Sequence, residues 1–314
     1  MDLVKPRPLR AGDTIGIVST SSPVSGEQLD RLVGYLGERG YLVRLAEGVL
    51  DRDGHLAGRA ERRAAGVMAM FADPEVALVM PASGGIGAGH LVDLLDYRAI
   101  RAHPKLFTGF SDPSVLNNSI LAAAGLPSVH GISGFQFFGW PDHDEPTESA
   151  FWRMVTGPVA GQELAGPGWR VYRAEAAAVS GPAVAGNLHS LVTLAGTRWM
   201  PSTAGAVLLL ESLGTTFGDV DRMLTQLRLA GVFDGIAALV IGAPAGWPAE
   251  DAPDVSADDL VLRCVPAGFP VITGVPFGHQ QAKISFPVGC VVEFGLDGPD
   301  PVLRYREDLV ATER

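Results

Sequence analysis

Only two cysteines occur among 314 residues, Cys264 and Cys290, in apolar surroundings and with no Cys-x-x-Cys pairing. Neither a disulfide framework nor a zinc knuckle is expected, and both read as buried free thiols. Basic residues are also scarce, 24 against 35 acidic ones, for a formal charge of -11. They are scattered, which argues against a nucleic-acid or anionic-membrane surface, because either needs grouped cations to neutralise phosphates. No uninterrupted apolar run approaches the roughly 18 residues of a membrane span, and Met1 to Pro8 lacks the basic-then-apolar pattern of a secretory leader, so a cytoplasmic location is expected. The seven histidines show no His-Glu-x-x-His and no paired Cys/His spacing, and no phosphate-loop or dinucleotide glycine signature is present. The expectation is a site without metal or cofactor.

What the chain does have is a globular composition, 47% apolar and 19% charged. Its length exceeds the roughly 250 to 300 residues at which one core stops growing, so two domains are expected. From Thr14 to Ser19 a β-branched run precedes a Ser25/Gln28 capping-box pattern and a helix reaching about Arg39. The unit recurs as strands at Tyr41 to Leu45, Val76 to Pro81 and Leu106 to Gly109, with helices at Arg59 to Ala72, Ala88 to Leu95 and Pro113 to Ala124. Such alternation predicts an α/β fold with a parallel sheet covered on both faces and ligands bound beyond the carboxyl ends of the strands. Between Phe138 and Gly168 the chain is rich in Pro, Gly, acids and Trp and reads as a surface connection, giving domains at 1–140 and 169–314 joined by 141–168. The second half is again α/β: a helix at Asn187 to Ala195, a strand at Ala206 to Glu211, a helix at Asp219 to Ala230, a strand at Ile236 to Ile241, then a strand-rich stretch from Val271 to Tyr305.

Four segments carry chemistry. Gly109-Phe110-Ser111-Asp112-Pro113 sets a serine at a strand-to-helix turn, where helix amides point at whatever its hydroxyl attacks; the bland alternative is an N-cap. Pro113 departs from the Gly-x-Ser-x-Gly elbow of the α/β-hydrolases. Val207-Leu208-Leu209-Leu210-Glu211 ends a buried aliphatic strand on a carboxylate, which is costly unless paired; an interdomain ion pair is the alternative. Phe277-Gly278-His279 presents an imidazole after a strand, with His130 in Val129-His130-Gly131 as the rival general base and a packed histidine as the plain reading. The glycine turn Ser83-Gly84-Gly85-Ile86-Gly87 has bare amides suited to half of an oxyanion hole.

Taken in order, these segments together with Pro104-Lys105, Gly186-Asn187-Leu188, Asp221-Arg222-Met223-Leu224 and Pro287-Val288-Gly289 resemble the LD-carboxypeptidase family of serine peptidases, which also contains the microcin C immunity peptidases. The resemblance implies a flavodoxin- or Rossmann-like N-terminal domain, a swivelling C-terminal α/β domain with extra strands, and a homodimer. It implies Ser111 as nucleophile, His279 as general base and Glu211 as the orienting carboxylate, an oxyanion hole from the amides of Gly85 and Asp112, and Ser83, Gly84 and His130 as substrate contacts. The triad would then be assembled across the domain cleft. The implied reaction is release of D-alanine from a murein tetrapeptide. Murein-cleaving members usually carry an arginine where this chain has Ser83, which leaves open an amidase acting on an aminoacyl nucleotide conjugate, with the 135–140 aromatics or Trp169 stacking a base. A non-catalytic peptide-binding protein is the alternative from another class.

Overall fold

The computed structural model describes residues 2–138, 144–244 and 254–311. The first half alternates β1 (Thr14–Val18), α1 (Gly26–Glu38), β2 (Leu42–Leu45), α2 (Ala60–Ala72), β3 (Val76–Pro81), α3 (Tyr97–Ala102), β4 (Leu106–Gly109), α4 (Ser114–Ala124) and β5 (Ser128–His130). Local chemistry sets the boundaries. Ser25 and Gln28 form the reciprocal capping box that starts α1, and Leu29, Leu32 and Leu36 recur at helical spacing to bury one face. Two helices follow, α5 (Phe135–Phe138) and α6 (Glu145–Thr156). The second half comprises β6 (Glu163–Ala165), β7 (Arg170–Tyr172), β8 (Ala178–Asn187), α7 (Leu188–Leu194), β9 (Val207–Glu211), α8 (Phe217–Leu229), β10 (Ala238–Gly242), α9 (Ala257–Cys264), β11 (Val271–Val275), β12 (Phe286–Val288), β13 (Val291–Gly295) and β14 (Val302–Tyr305).

One mixed, mostly parallel sheet runs through both halves in the order β2-β1-β3-β4-β5-β12-β8-β9-β10-β11-β7. Its first five strands are parallel, and β8 to β11 are parallel again. The join is β12, antiparallel to β5 with Phe286 opposite His130, and parallel to β8. A side ribbon of β13, β14 and β6 pairs antiparallel with the first half of β8. Strand alternation divides the core between the two sheet faces: Leu208 and Leu210 join one cluster while Val207 and Leu209 join the other. Both clusters draw on both halves of the chain. No helix among the described residues is long and apolar enough to cross a membrane.

Two expectations need correction. The helix expected over Ala88 to Leu95 is a short 3-10 turn, Ala88–Leu91, because Gly87 and Gly89 favour helix weakly and the turn is entered through Gly87 at φ 122°. The stretch read as surface connection contains α6, N-capped by Asp144, with Phe151, Met154 and Val155 buried and Trp152 stacked 5.1 Å from Tyr41. Its dense Pro and Glu content masked a helical apolar spacing. Gly139 to His143, part of the same reading, lie outside the described residues. Both cysteines are free, but only Cys290 is buried, Cys264 being half-buried.

Candidate active site

Beyond the carboxyl end of β4, Ser111 adopts φ 61°, one of two non-glycine residues in the left-handed region among the described residues. It is not a cap: the N-cap of α4 is Pro113, with no side-chain capping bond. The strained turn instead lifts the hydroxyl off the helix end. Ser111 Oγ lies 3.1 Å from His279 Nε2, and His279 Nδ1 lies 2.7 Å from Glu211 Oε2. With the imidazole proton on Nδ1, that nitrogen donates to the carboxylate and Nε2 is left to accept from the serine.

Glu211 is the last residue of β9, where strand register sets it beside Asn187 of β8. Its second oxygen, Oε1, accepts from Asn187 Nδ2 at 3.1 Å. Burial alone would push this carboxyl up, but the bond and charge of His279, with smaller contributions from His130 and Asn187, outweigh it and hold Glu211 below the ordinary carboxylate range. The approach of the histidine loop requires glycine at 278, which has φ 109°; a Cβ there would stand 2.5 Å from Glu211 Oε2.

The glycine turn follows β3 as Ser111 follows β4, and the two strands are parallel neighbours. The amides of Gly85 and Asp112 donate to no protein acceptor among the described residues, so both remain available to a ligand. The Asp112 side chain is committed elsewhere: its Oδ2 accepts from the Ala88 amide at 2.7 Å. Burial pushes this carboxyl up, against the Ser21 and Ala88 bonds and the charge of Arg63. Arg63 is itself buried and donates to the carbonyls of Gly58, Gly87 and Thr20, clamping the turn from below. Ser83 is buried with its hydroxyl turned to the carbonyls of Ser22 and Gly84.

His130 is fully buried, and neither ring nitrogen has a hydrogen-bond partner among the described residues. It packs beneath the site between Phe110 and Phe277, at ring separations of 5.9 and 5.0 Å. Burial pushes its pKa down to about 4, so it is neutral at ordinary pH. It therefore lines no surface open to a substrate, and it is His279 that lies within reach of Ser111. Phe137 and Phe138 of α5 are buried core residues, and Trp169 is buried against Phe294; the base-stacking faces imagined for them are packed instead. Trp140 lies outside the described residues.

The chain matches the LD-carboxypeptidase N-terminal domain over residues 15–131 and the LD-carboxypeptidase C-terminal domain over residues 180–294. The chain belongs to the LD-carboxypeptidase family. A probable murein peptide carboxypeptidase of Bacillus subtilis (strain 168) is 31% identical over 289 residues, 91% of this chain and 89% of that protein. The microcin C7 self-immunity protein MccF of Escherichia coli is 25% identical over 98% of this chain and 97% of its own. A solved structure of MccF in complex with glutamyl sulfamoyl guanosine shares the fold with a TM-score of 0.89 at 23% identity, covering 98% of this chain and 99% of that one. Muramoyltetrapeptide carboxypeptidase from Oxalobacter formigenes superposes with a TM-score of 0.83 at 28% identity, over 94% and 99%. Membership of the LD-carboxypeptidase family places the chain among peptidases.

Three residues of this family member had no role assigned from sequence. Asn187 was visible only as part of Gly186-Asn187-Leu188; its position ahead of a helix was the available signal for a cap, and its bond to Glu211 comes from strand register. Arg63 falls inside an ordinary helical run and gave no signal at all. Lys283 follows His279 by four residues in a loop, and nothing in its neighbours marks it out.

Proposed function

We propose that the protein is a serine carboxypeptidase that hydrolyses the L,D bond near the C-terminus of a murein tetrapeptide and releases D-alanine. The observation that carries this reading is the unbroken chain from Ser111 Oγ through His279 to Glu211, with contacts of 3.1 and 2.7 Å. Ser111 Oγ attacks the scissile carbonyl carbon while its proton passes to His279 Nε2, and Glu211 stabilises the imidazolium. The oxygen of the tetrahedral intermediate receives hydrogen bonds from the amides of Gly85 and Asp112. His279 then protonates the departing amine, and water, deprotonated by the same imidazole, cleaves the acyl-enzyme. In this reading the domains divide at 1–140 and 169–314, the triad lies at their junction, and the protein acts in the cytoplasm as a homodimer on a small peptide.

A second reading, an amidase acting on an aminoacyl nucleotide conjugate, is favoured by Ser83, whose hydroxyl is held by backbone carbonyls and supplies no charge to the glycine turn. One experiment separates the two: wild type and Ser111→Ala are incubated with L-Ala-γ-D-Glu-diamino acid-D-Ala and, separately, with an aminoacyl sulfamoyl-adenosine, and the products are weighed by mass spectrometry. Release of D-alanine that falls by about 10³-fold or more in Ser111→Ala is expected. Cleavage of the adenosine conjugate alone overturns the murein reading.

A further inference from the structure

A carboxypeptidase must recognise the free carboxylate of its substrate, and the glycine turn offers no cation for it. The buried cations among the described residues, Arg63 and Lys105, are already committed. Arg63 is tied to the carbonyls of Gly58 and Gly87 at 3.1 and 2.9 Å, and Lys105 to that of Val76 at 2.6 Å. Lys283 differs. Its ammonium makes no ion pair and donates no hydrogen bond among the described residues. It sits over the Phe110 ring at 4.2 Å from the centroid and 5.9 Å from that of Phe137.

Phe110 links that position to the reacting residues. Phe110 immediately precedes Ser111, and its ring is 4.5 Å from that of His279. The backbone amide of Lys283 donates to Thr147 Oγ1 at 2.8 Å, which ties the loop to α6 and fixes where the side chain starts. Aromatic faces attract an ammonium without neutralising it, so a half-buried lysine near two rings remains short of a counter-ion. Burial pushes its pKa down to about 8, the charge of Glu211 opposing that shift. In a peptide whose last peptide bond faces Ser111, the terminal carboxylate lies only one residue beyond the scissile carbonyl, a span of roughly 3.5 Å.

We propose that Lys283 is the anion-binding residue of the site, pairing with the free α-carboxylate of the substrate's C-terminal residue in place of a cation on the glycine turn. The inference rests on the carboxypeptidase reading above and deepens it by naming what makes the enzyme act at a chain end. A neutral C-terminus then forfeits a charge-assisted hydrogen bond in the site, a loss of roughly 10- to 100-fold in affinity.

The test uses the full chain in the Ser111→Ala background, so that binding is read without turnover. Calorimetry compares the tetrapeptide with its C-terminal carboxamide, in Ser111→Ala alone and combined with Lys283→Met or Lys283→Arg. The free acid should bind Ser111→Ala roughly 10- to 100-fold more tightly than the amide. That preference should vanish with Lys283→Met and return at least in part with Lys283→Arg. Equal binding of acid and amide by Ser111→Ala overturns the assignment, and so does a preference that survives Lys283→Met. Wild-type hydrolysis is scored in parallel: a Lys283-dependent preference for the acid without D-alanine release sustains the lysine's role and removes only the murein reading.

Discussion

Asn187 shows how one side chain joins local structure to chemistry. Its Oδ1 accepts from the Ser190 amide at 3.3 Å, capping α7, while its Nδ2 donates to Glu211 Oε1 at 3.1 Å. Removing the amide leaves Glu211 with one fewer group favouring its ionised form, so the carboxyl pKa rises. The acid limb of kcat/KM should therefore move to higher pH in Asn187→Ala, with kcat lower by about tenfold or more, one lost charged hydrogen bond. Loss of the cap costs about 1 kcal/mol independently. A pH-rate profile distinguishes the two roles: if thermal stability falls and the acid limb stays in place, Asn187 is a cap only.

Among the elements, α4 does more than follow the nucleophile. Its Asn117 donates to the carbonyls of Gly109 and Val129 at 3.2 and 3.0 Å, and its Asn118 donates to Ala185 O in β8 at 2.9 Å. Ser114 Oγ accepts from the Asn187 amide at 3.1 Å. The helix that starts behind Ser111 is thereby tied to the strand that delivers Asn187 and, through it, Glu211. Such buried asparagines break the apolar face expected of a core helix, and the reason lies in carbonyls that need donors. Asn118→Ala removes the side-chain donor from the buried Ala185 carbonyl, and urea unfolding should show a loss of about 1–3 kcal/mol. An unchanged midpoint would mean that the tie between α4 and β8 contributes nothing.

Across the whole molecule the continuous sheet makes the junction of the halves part of the core. His130 lies there, paired in register with Phe286 of β12. Its folded pKa of about 4 lies below the ordinary 6.5. Between those values the unfolded chain binds a proton that the folded one refuses, so stability is lost as pH falls from about 6.5 towards 4. The full effect amounts to about 3 kcal/mol. His130→Phe keeps an aromatic ring, removes two unpartnered nitrogens, and should flatten that part of the acid limb when urea unfolding is followed across pH. Parallel curves for the two proteins would place the acid sensitivity elsewhere.

The sequence by itself determined the parts governed by local rules. Alternating apolar runs and caps marked β1 to β4 with α1, α2 and α4, while the short α3 lay outside that pattern and the helix expected over Ala88 to Leu95 is a 3-10 turn. The strand-to-helix position of Ser111 marked a turn, and the buried aliphatic run ending in Glu211 marked a carboxylate in need of a partner. Ordered motifs pointed to the family, but residues only pointed to one another. That Ser111, Glu211 and His279 meet, and that His130 lies beneath them fully enclosed, was decided by the tertiary structure. Strand order and register fix distances between residues 68 to 168 positions apart, and no local periodicity encodes those. The same holds for Lys283: a lysine in a loop has nothing unusual in its sequence, and its character comes from two rings on other segments that lie near its charge without neutralising it.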